Sequence, residues 1–411
     1  MARRGEFNPA VPAHVPADRV TDFDMYNDPA FPDDPHAVIR AARDRLPNLV
    51  YATHGSHWVA FGREAIEQVL SDAAFSANKD ALRQSGFKGA TPFIPAELDP
   101  PEHTGFRAVL LRHLGPKPVR AMEPFVRSWA ERLIAPLAER TECDFSTEVA
   151  QPMPVSIFME VMGLPLERYA EFRAMAVRVM SPDTDTEEQQ DLDRRIQAIL
   201  AELIEARRAA PRDDLISKLL QERVDGRPLT SEEMRSVCHM LFIAGLDTVA
   251  NAMGFGMRHL AADPGLQAQI RADHSLIPGV VEDLLRRYTF ITTIRFAKRD
   301  VVVDGVALKP GDGVRVILWG ASNDPEQAQS PRQYGFGFGP HICLGMYLAR
   351  LEMKVMYETW FSRIGAFERA PDLKPGAMHG GHTIGISSVP LRLTPLAAAE
   401  RAADAAAEAS H

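Results

Sequence analysis

Apolar residues recur at three- and four-residue intervals through most of the stretch from about Glu64 to Tyr288, which predicts a largely helical body. The clearest helices are Val119–Leu137, Leu192–Ala209 and Ser231–Ala262. Before them, Leu49–Tyr51 and Trp58–Phe61 alternate around Gly55 and read as a hairpin. After them the period changes. Val301–Val303, Val306–Leu308 and Val314–Leu318 read as strands, with Asp304-Gly305 as a turn. A helix from about Met346 to Phe361 follows, and short strands near Ile384–Ser388 and Pro390–Leu393 close the pattern. The expected fold class is mainly α with small β-sheets, an α+β arrangement. Neither repeat nor linker divides the 411 residues, so one domain is expected, with an extended arm at 1–20 and an Ala/Glu-rich, frayed tail at 397–411.

Composition narrows the function. A net charge of -9 argues against nucleic acid as a partner. Three cysteines suggest a reducing compartment without a disulfide framework. The polar start Met1–Glu6 has no apolar core of a secretion signal or anchor, so a cytoplasmic protein is expected.

One cysteine stands apart. In Phe336-Gly337-Phe338-Gly339-Pro340-His341-Ile342-Cys343-Leu344-Gly345, Cys343 lies between a glycine-rich loop and a helix start. Unpaired N–H groups and the helix dipole favour a thiolate there. The glycines leave room for a flat group against the backbone. Zinc is a poor fit, because Cys143 and Cys238 are far off in sequence. A nucleophilic cysteine has no independent support. Haem iron bound by the thiolate fits best.

A second anomaly is Asp247-Thr248, polar residues inside the apolar Ser231–Ala262 segment. A carboxylate there is costly unless paired or functional. The structural reading has Thr248 bonding back to a carbonyl one turn earlier and Asp247 in an ion pair. Further upstream, Asp99-Pro100-Pro101-Glu102 reads as a helix start with Asp99 as N-cap. His103 and Arg107 then share one helix face.

The cysteine run resembles the haem-binding signature of the cytochrome P-450 superfamily. Val15-Pro16 through Asp22–Tyr26, Phe93-Ile94-Pro95 through Leu98–Glu102, Ala244–Val249 and Leu284–Arg287 resemble its soluble bacterial camphor-hydroxylase branch. The resemblance implies haem b between the long central helix and the cysteine-loop helix, with Cys343 as axial ligand and Phe336 against the cofactor. It implies propionate donors at His103, Arg107, Arg295 and His341. Over the haem, Ala244 and Gly245 would make room for O2, Thr248 would hold a hydrogen-bond network and Asp247 would relay protons. The family's Glu-x-x-Arg pair is Asp283 and Arg286 here. The loop Asn323–Tyr334 is shorter than usual, so Arg332 is expected to replace a missing partner of that pair.

By alignment the substrate pocket comprises Phe87, Thr91, Met180, Met240, Ile243, Ile291, Thr293 and Ile384. The set carries no charge and implies a small apolar substrate. Thr91 stands where the camphor enzyme has a tyrosine. A terpenoid or norisoprenoid ketone larger than camphor is therefore expected. No flavin or nicotinamide fingerprint appears, so electrons would come from a [2Fe-2S] ferredoxin with its reductase, docking near Arg107, Arg112 and Arg350 on a monomer. The leading expectation is an oxidoreductase, a haem-thiolate monooxygenase. A peroxygenase or isomerase, and a non-enzymatic haem sensor or carrier, remain the other readings.

Overall fold

The computed structural model describes residues 11–78, 93–180, 184–327, 329, 332–370, 378–379 and 383–396. Phe87, Thr91 and the tail 397–411 lie outside the described residues, as does the side chain of Met180. The helices that build the site are α1 (Glu102–Leu114), α2 (Tyr169–Met180), α3 (Thr186–Ala209), α4 (Ser231–Gly245), α5 (Thr248–Leu260), α6 (Ile277–Arg287) and α7 (Met346–Arg363).

To one side lies a six-stranded sheet of β1 (Val20–Thr21), β2 (Leu49–Ala52), β3 (His57–Ala60), β4 (Phe75–Ser76), β5 (Thr292–Ala297) and β6 (Gly313–Ile317), in the order β1-β2-β3-β6-β5-β4. The expected hairpin is β2–β3, with Tyr51 opposite Trp58. Strands Val301–Val303 and Val306–Leu308 pair as expected, and Asp304 and Gly305 turn at φ 49° and 74°. Strands Ile364–Arg369, Pro390–Pro395 and Glu142–Asp144 form a smaller sheet.

Two expected helices are broken. Val119–Leu137 divides into Pro116–Ala121, Glu123–Ile134 and a 3-10 turn at Ala135–Leu137. Pro124 lacks the N–H that a continuous ladder needs, so it opens the second piece. The central segment begins well, with a capping box: Thr230 Oγ1 accepts the Glu233 N–H (3.1 Å) and the Glu233 carboxylate accepts the Thr230 N–H (2.7 Å). It is interrupted at Leu246-Asp247. There the Thr248 hydroxyl donates to the Ala244 carbonyl at 3.2 Å, and Asn251 Nδ2 donates to the Asp247 carbonyl at 3.2 Å. Such side-chain bonds compete with the main-chain ladder and bend helices. Ser231–Leu260 is long and apolar enough to cross a membrane by composition, but 61% of its most apolar window is buried within the fold.

Three apolar clusters form the core, and the site lies where they meet. Met240, Ile243 and Leu344 edge one cluster, Val249, Ile291, Phe336 and Tyr347 another, and Ile291 and Phe338 the third.

His36 is 3% exposed, edge-on to Phe255 and Tyr288, with Nε2 donating to the Thr289 carbonyl at 3.2 Å. Burial pushes its pKa down to about 4, and His57 falls to about 4 mainly for the same reason. The unfolded chain takes up these protons near pH 6.5 and the folded one only near 4. Stability should therefore be complete above about pH 6.5 and fall through this window, by about 3 kcal/mol for His36 alone. Urea midpoints measured from pH 7 to 4 should show that decline, and His36→Phe should flatten it. An unchanged slope would place the acid sensitivity elsewhere.

Candidate active site

The cysteine loop is shaped by backbone geometry. Gly337 and Gly339 have φ of 79° and 73°, and a Cβ on Gly339 would lie 2.6 Å from the Leu70 carbonyl oxygen. Only glycine fits there without displacing backbone. Gly337 N–H donates to Tyr334 O (2.7 Å), and Cys343 N–H donates to Phe336 O (2.7 Å). The loop thus delivers Cys343 just ahead of α7. Burial pushes its thiol up, while the N–H groups of Gly345 and Met346 and the charges of Arg107 and Arg350 pull it down. Cys343 keeps exposed surface in these crowded surroundings. Cys143 and Cys238 are buried, with thiols pushed up to about 12 chiefly by desolvation. Only Cys343 is presented to a ligand.

Two histidines and two arginines from three segments converge beside it. The rings of His103 on α1 and His341 in the loop lie 4.3 Å apart. His341 is pushed down to about 3 by burial first, then by Arg295, His103 and Arg107. Arg295 on β5 is 9% exposed, and burial lowers it to about 10. Burial also lowers Arg107, with the Cys343 thiolate opposing. Asp99 is the carboxylate that moderates His103, Arg295 and His341. It is already engaged, accepting the Ala77 N–H (3.0 Å) and lying 3.4 Å from Lys298 Nζ. That engagement corrects one expectation: Asp99 does not cap α1, which starts at Glu102 without a side-chain cap. Two arginines and two hydrogen-bonding imidazoles that share one carboxylate already engaged elsewhere suit a ligand bearing two carboxylates.

Strand alternation explains how Arg295 arrives. Ile291, Thr293 and Arg295 share one face of the β5 segment, and Arg295 Nη1 donates to Thr293 Oγ1 at 3.1 Å. On the opposite face Thr292 is buried and accepts from Arg315.

At the break between α4 and α5, Ala244 is exposed, whereas Ser236–His239, Leu241 and Phe242 before it are buried. Asp247 Oδ2 accepts from Asn251 Nδ2 at 2.7 Å, and Asn251 Oδ1 accepts the Ile386 N–H at 3.0 Å. Asn251 is 5% exposed. Sequence reasoning missed it. The signal was an amide four residues after Asp247, on the same helix face.

A family model described as cytochrome P450 matches residues 177–364. A probable cytochrome P450 127A1 of Sinorhizobium fredii (strain NBRC 101917 / NGR234) is 32% identical over 407 residues, covering 94% of this chain and 97% of that one. The chain belongs to the cytochrome P450 family. The P450 monooxygenase PikC of Streptomyces venezuelae is 30% identical, covering 77% of this chain and 78% of that one. The crystal structure of CYP101J2 superposes with a TM-score of 0.83 at 34% identity, covering 93% of this chain and 99% of that one. P450 proteins are oxidoreductases that bind haem b. An accessible cysteine, a glycine-framed backbone and a cluster of two arginines and two histidines served by one carboxylate fit that group.

The remaining expected residues of this P450 divide. Met240 and Ile243 are half-buried on α4 beside Leu344. Ile291 bridges Thr383. Ile384 is 1% exposed and packs in the core, tied by its N–H to Phe290 O (2.8 Å).

In the scaffold, Asp283 pairs with Arg286 at 2.8 Å and with Arg287 at 2.5 Å. The expected role of Arg332 is overturned. Its guanidinium lies over the rings of Tyr334 (5.4 Å) and Phe338 (5.1 Å). Asn323 takes the place instead: its Oδ1 accepts from Arg286 Nη1 (3.1 Å), and its Nδ2 donates to the carbonyls of Arg286 and Trp319. Arg286→Leu should cost about 1–2 kcal/mol, since it strands Asn323 while Asp283 keeps Arg287. Arg332→Leu should change stability by less than about 0.5 kcal/mol. Thermal melts of both variants check this; a larger loss from Arg332→Leu would contradict the assignment.

Proposed function

We propose that this P450 is a haem-thiolate monooxygenase that hydroxylates a small apolar substrate, a terpenoid or norisoprenoid ketone, using O2 and electrons from a [2Fe-2S] ferredoxin with its reductase. The carrying observation is the accessible Cys343 beside a cluster of two arginines and two histidines. In this reading Cys343 holds the iron, and His103, Arg107, Arg295 and His341 hold the two propionates. Haem held through a thiolate supplies oxygen activation, with cleavage of the O–O bond favoured by electron density from sulfur.

The chain's own residues would supply the protons. Thr248, whose hydroxyl donates to Ala244 O, is positioned to accept a hydrogen bond from a water through its oxygen. Asp247, oriented by Asn251, is the acid that passes a proton toward it. Ala244, small and exposed, leaves space at the helix break. A peroxygenase or isomerase has no need of this pair, which favours the monooxygenase reading.

Thr293 supports a substrate with one hydrogen-bond acceptor. Its oxygen accepts from Arg295, so its own O–H is left to donate. The rest of the proposed pocket is uncharged. Arg112 is 52% exposed in its ion pair with Glu222 (2.6 Å), and Arg350 is paired with Glu282 (2.5 Å). An acidic ferredoxin would exchange its carboxylates with these partners. A monomer in the cytoplasm is consistent with this chemistry.

Thr248→Ala should keep substrate affinity within about twofold yet divert most reducing equivalents to hydrogen peroxide, a loss on the order of tenfold in coupling. Product and peroxide per reductant consumed check this. An unchanged product yield would contradict the role.

A further inference from the structure

Ala244 and Gly245 are neighbours at the end of α4, yet they face different surroundings. Ala244 is exposed, and Gly245 is half-buried. A Cβ on Gly245 would lie 2.5 Å from Phe158 Cδ2 and 2.7 Å from its Cε2. Successive residues of a helix are turned apart by about 100°. The open side therefore belongs to Ala244, and the space beside Gly245 is filled by an aromatic ring. Phe158 is 8% exposed and belongs to the helix Pro152–Met162. That helix packs on both α4 and α5, one on each side of the break.

The ring has a firm mount. The helix ends at Gly163, whose φ of 80° is left-handed, with Gly163 N–H donating to Glu160 O (3.0 Å) and Leu164 N–H to Met159 O (2.8 Å). The Gly163 carbonyl accepts from Arg207 Nη2 at 2.7 Å. Arg207 is itself paired with Asp214, the two side chains being 5% and 4% exposed. Breaking a buried pair of this kind is strongly penalised, so the end of the helix is held. The bonds at the break cannot set its angle alone. Thr248 to Ala244 O and Asn251 to Asp247 O both run within the α4–α5 segment. Asn251 ties α5 to the Ile386 N–H, and Phe158 meets the end of α4.

We propose that Phe158 is a positioning residue for the proton-handling pair: seated where Gly245 has no side chain, its ring fixes the end of α4 and with it the Ala244 carbonyl to which Thr248 donates. Asp247, in the break itself, is placed by the same contact. Ring and missing Cβ form one matched fit, because a side chain on Gly245 would need the space that the ring occupies. A smaller residue at 158 would leave a gap into which the end of α4 can shift. The inference rests on the proposed function for the roles of Asp247 and Thr248, and not for the contact.

A matched fit predicts a reversal of sign. Phe158→Leu removes the ring, and Gly245→Ala in the same chain refills part of the gap. In the haem-free protein, Phe158→Leu should speed hydrogen exchange at 249–252 on the order of tenfold and leave 163–164 as in the parent. Adding Gly245→Ala should recover most of that loss, whereas Gly245→Ala alone should speed the same amides or prevent folding. In the haem-loaded protein, with a ferredoxin system and β-ionone as a norisoprenoid ketone probe, Phe158→Leu should lower product per reductant about fivefold in favour of peroxide, with Kd for β-ionone within about twofold. The double variant should return to within about twofold of the parent. A merely structural role would lower the melting temperature without moving the split between product and peroxide. Equal harm from Gly245→Ala with and without the ring, or an unchanged split in Phe158→Leu, would overturn the proposal. Absence of binding and product with β-ionone in the parent protein would instead count against the proposed function, and the exchange reversal would still decide the contact.

Discussion

Two arginines and two histidines from three segments, with one shared carboxylate among them, form the constraint on which the structure depends. His103, Arg107, Arg295 and His341 are brought from α1, β5 and the cysteine loop into one cluster. Left alone, such a cluster is costly, and the depressed His341 and Arg295 register that cost. Two added carboxylates would reverse its sign. In the proposed function a ligand bearing carboxylates would complete this cluster and sit against Cys343, whose thiol is also pulled down by Arg107.

The central helix is the second point where local chemistry overrides a simple pattern. Its apolar run predicts an unbroken rod, yet the side chains of Thr248 and Asn251 occupy the carbonyls of Ala244 and Asp247 and divide it. The structural and chemical readings of Thr248 therefore coincide. The bond that breaks the helix also orients the hydroxyl. Asn251 extends the arrangement by fastening Asp247 to the backbone at Ile386.

Much of this was legible in the sequence because it is local. The glycine spacing around Cys343, the β2–β3 alternation and the hairpin at Asp304-Gly305 depend on neighbours a few residues apart. What failed depended on distant groups or on a single breaker. Pro124 cut a long amphipathic stretch that periodicity alone joined. Asp99 looked like a cap, but its carboxylate turns to Ala77 and Lys298. Arg332 seemed the replacement for a missing scaffold partner. Its stacking on Tyr334 and Phe338, and the reach of Asn323 to Arg286, depend on side-chain contacts that sequence spacing does not reveal.

The most direct test of the central claim compares binding of haem with that of its propionate dimethyl ester to the metal-free protein. Both ligands offer iron to Cys343, and only the first offers carboxylates to the cations. If the cluster exists to hold two propionates, the ester should bind at least about a hundredfold more weakly, and Arg295→Leu should narrow that gap. Equal affinity for the two would contradict the account.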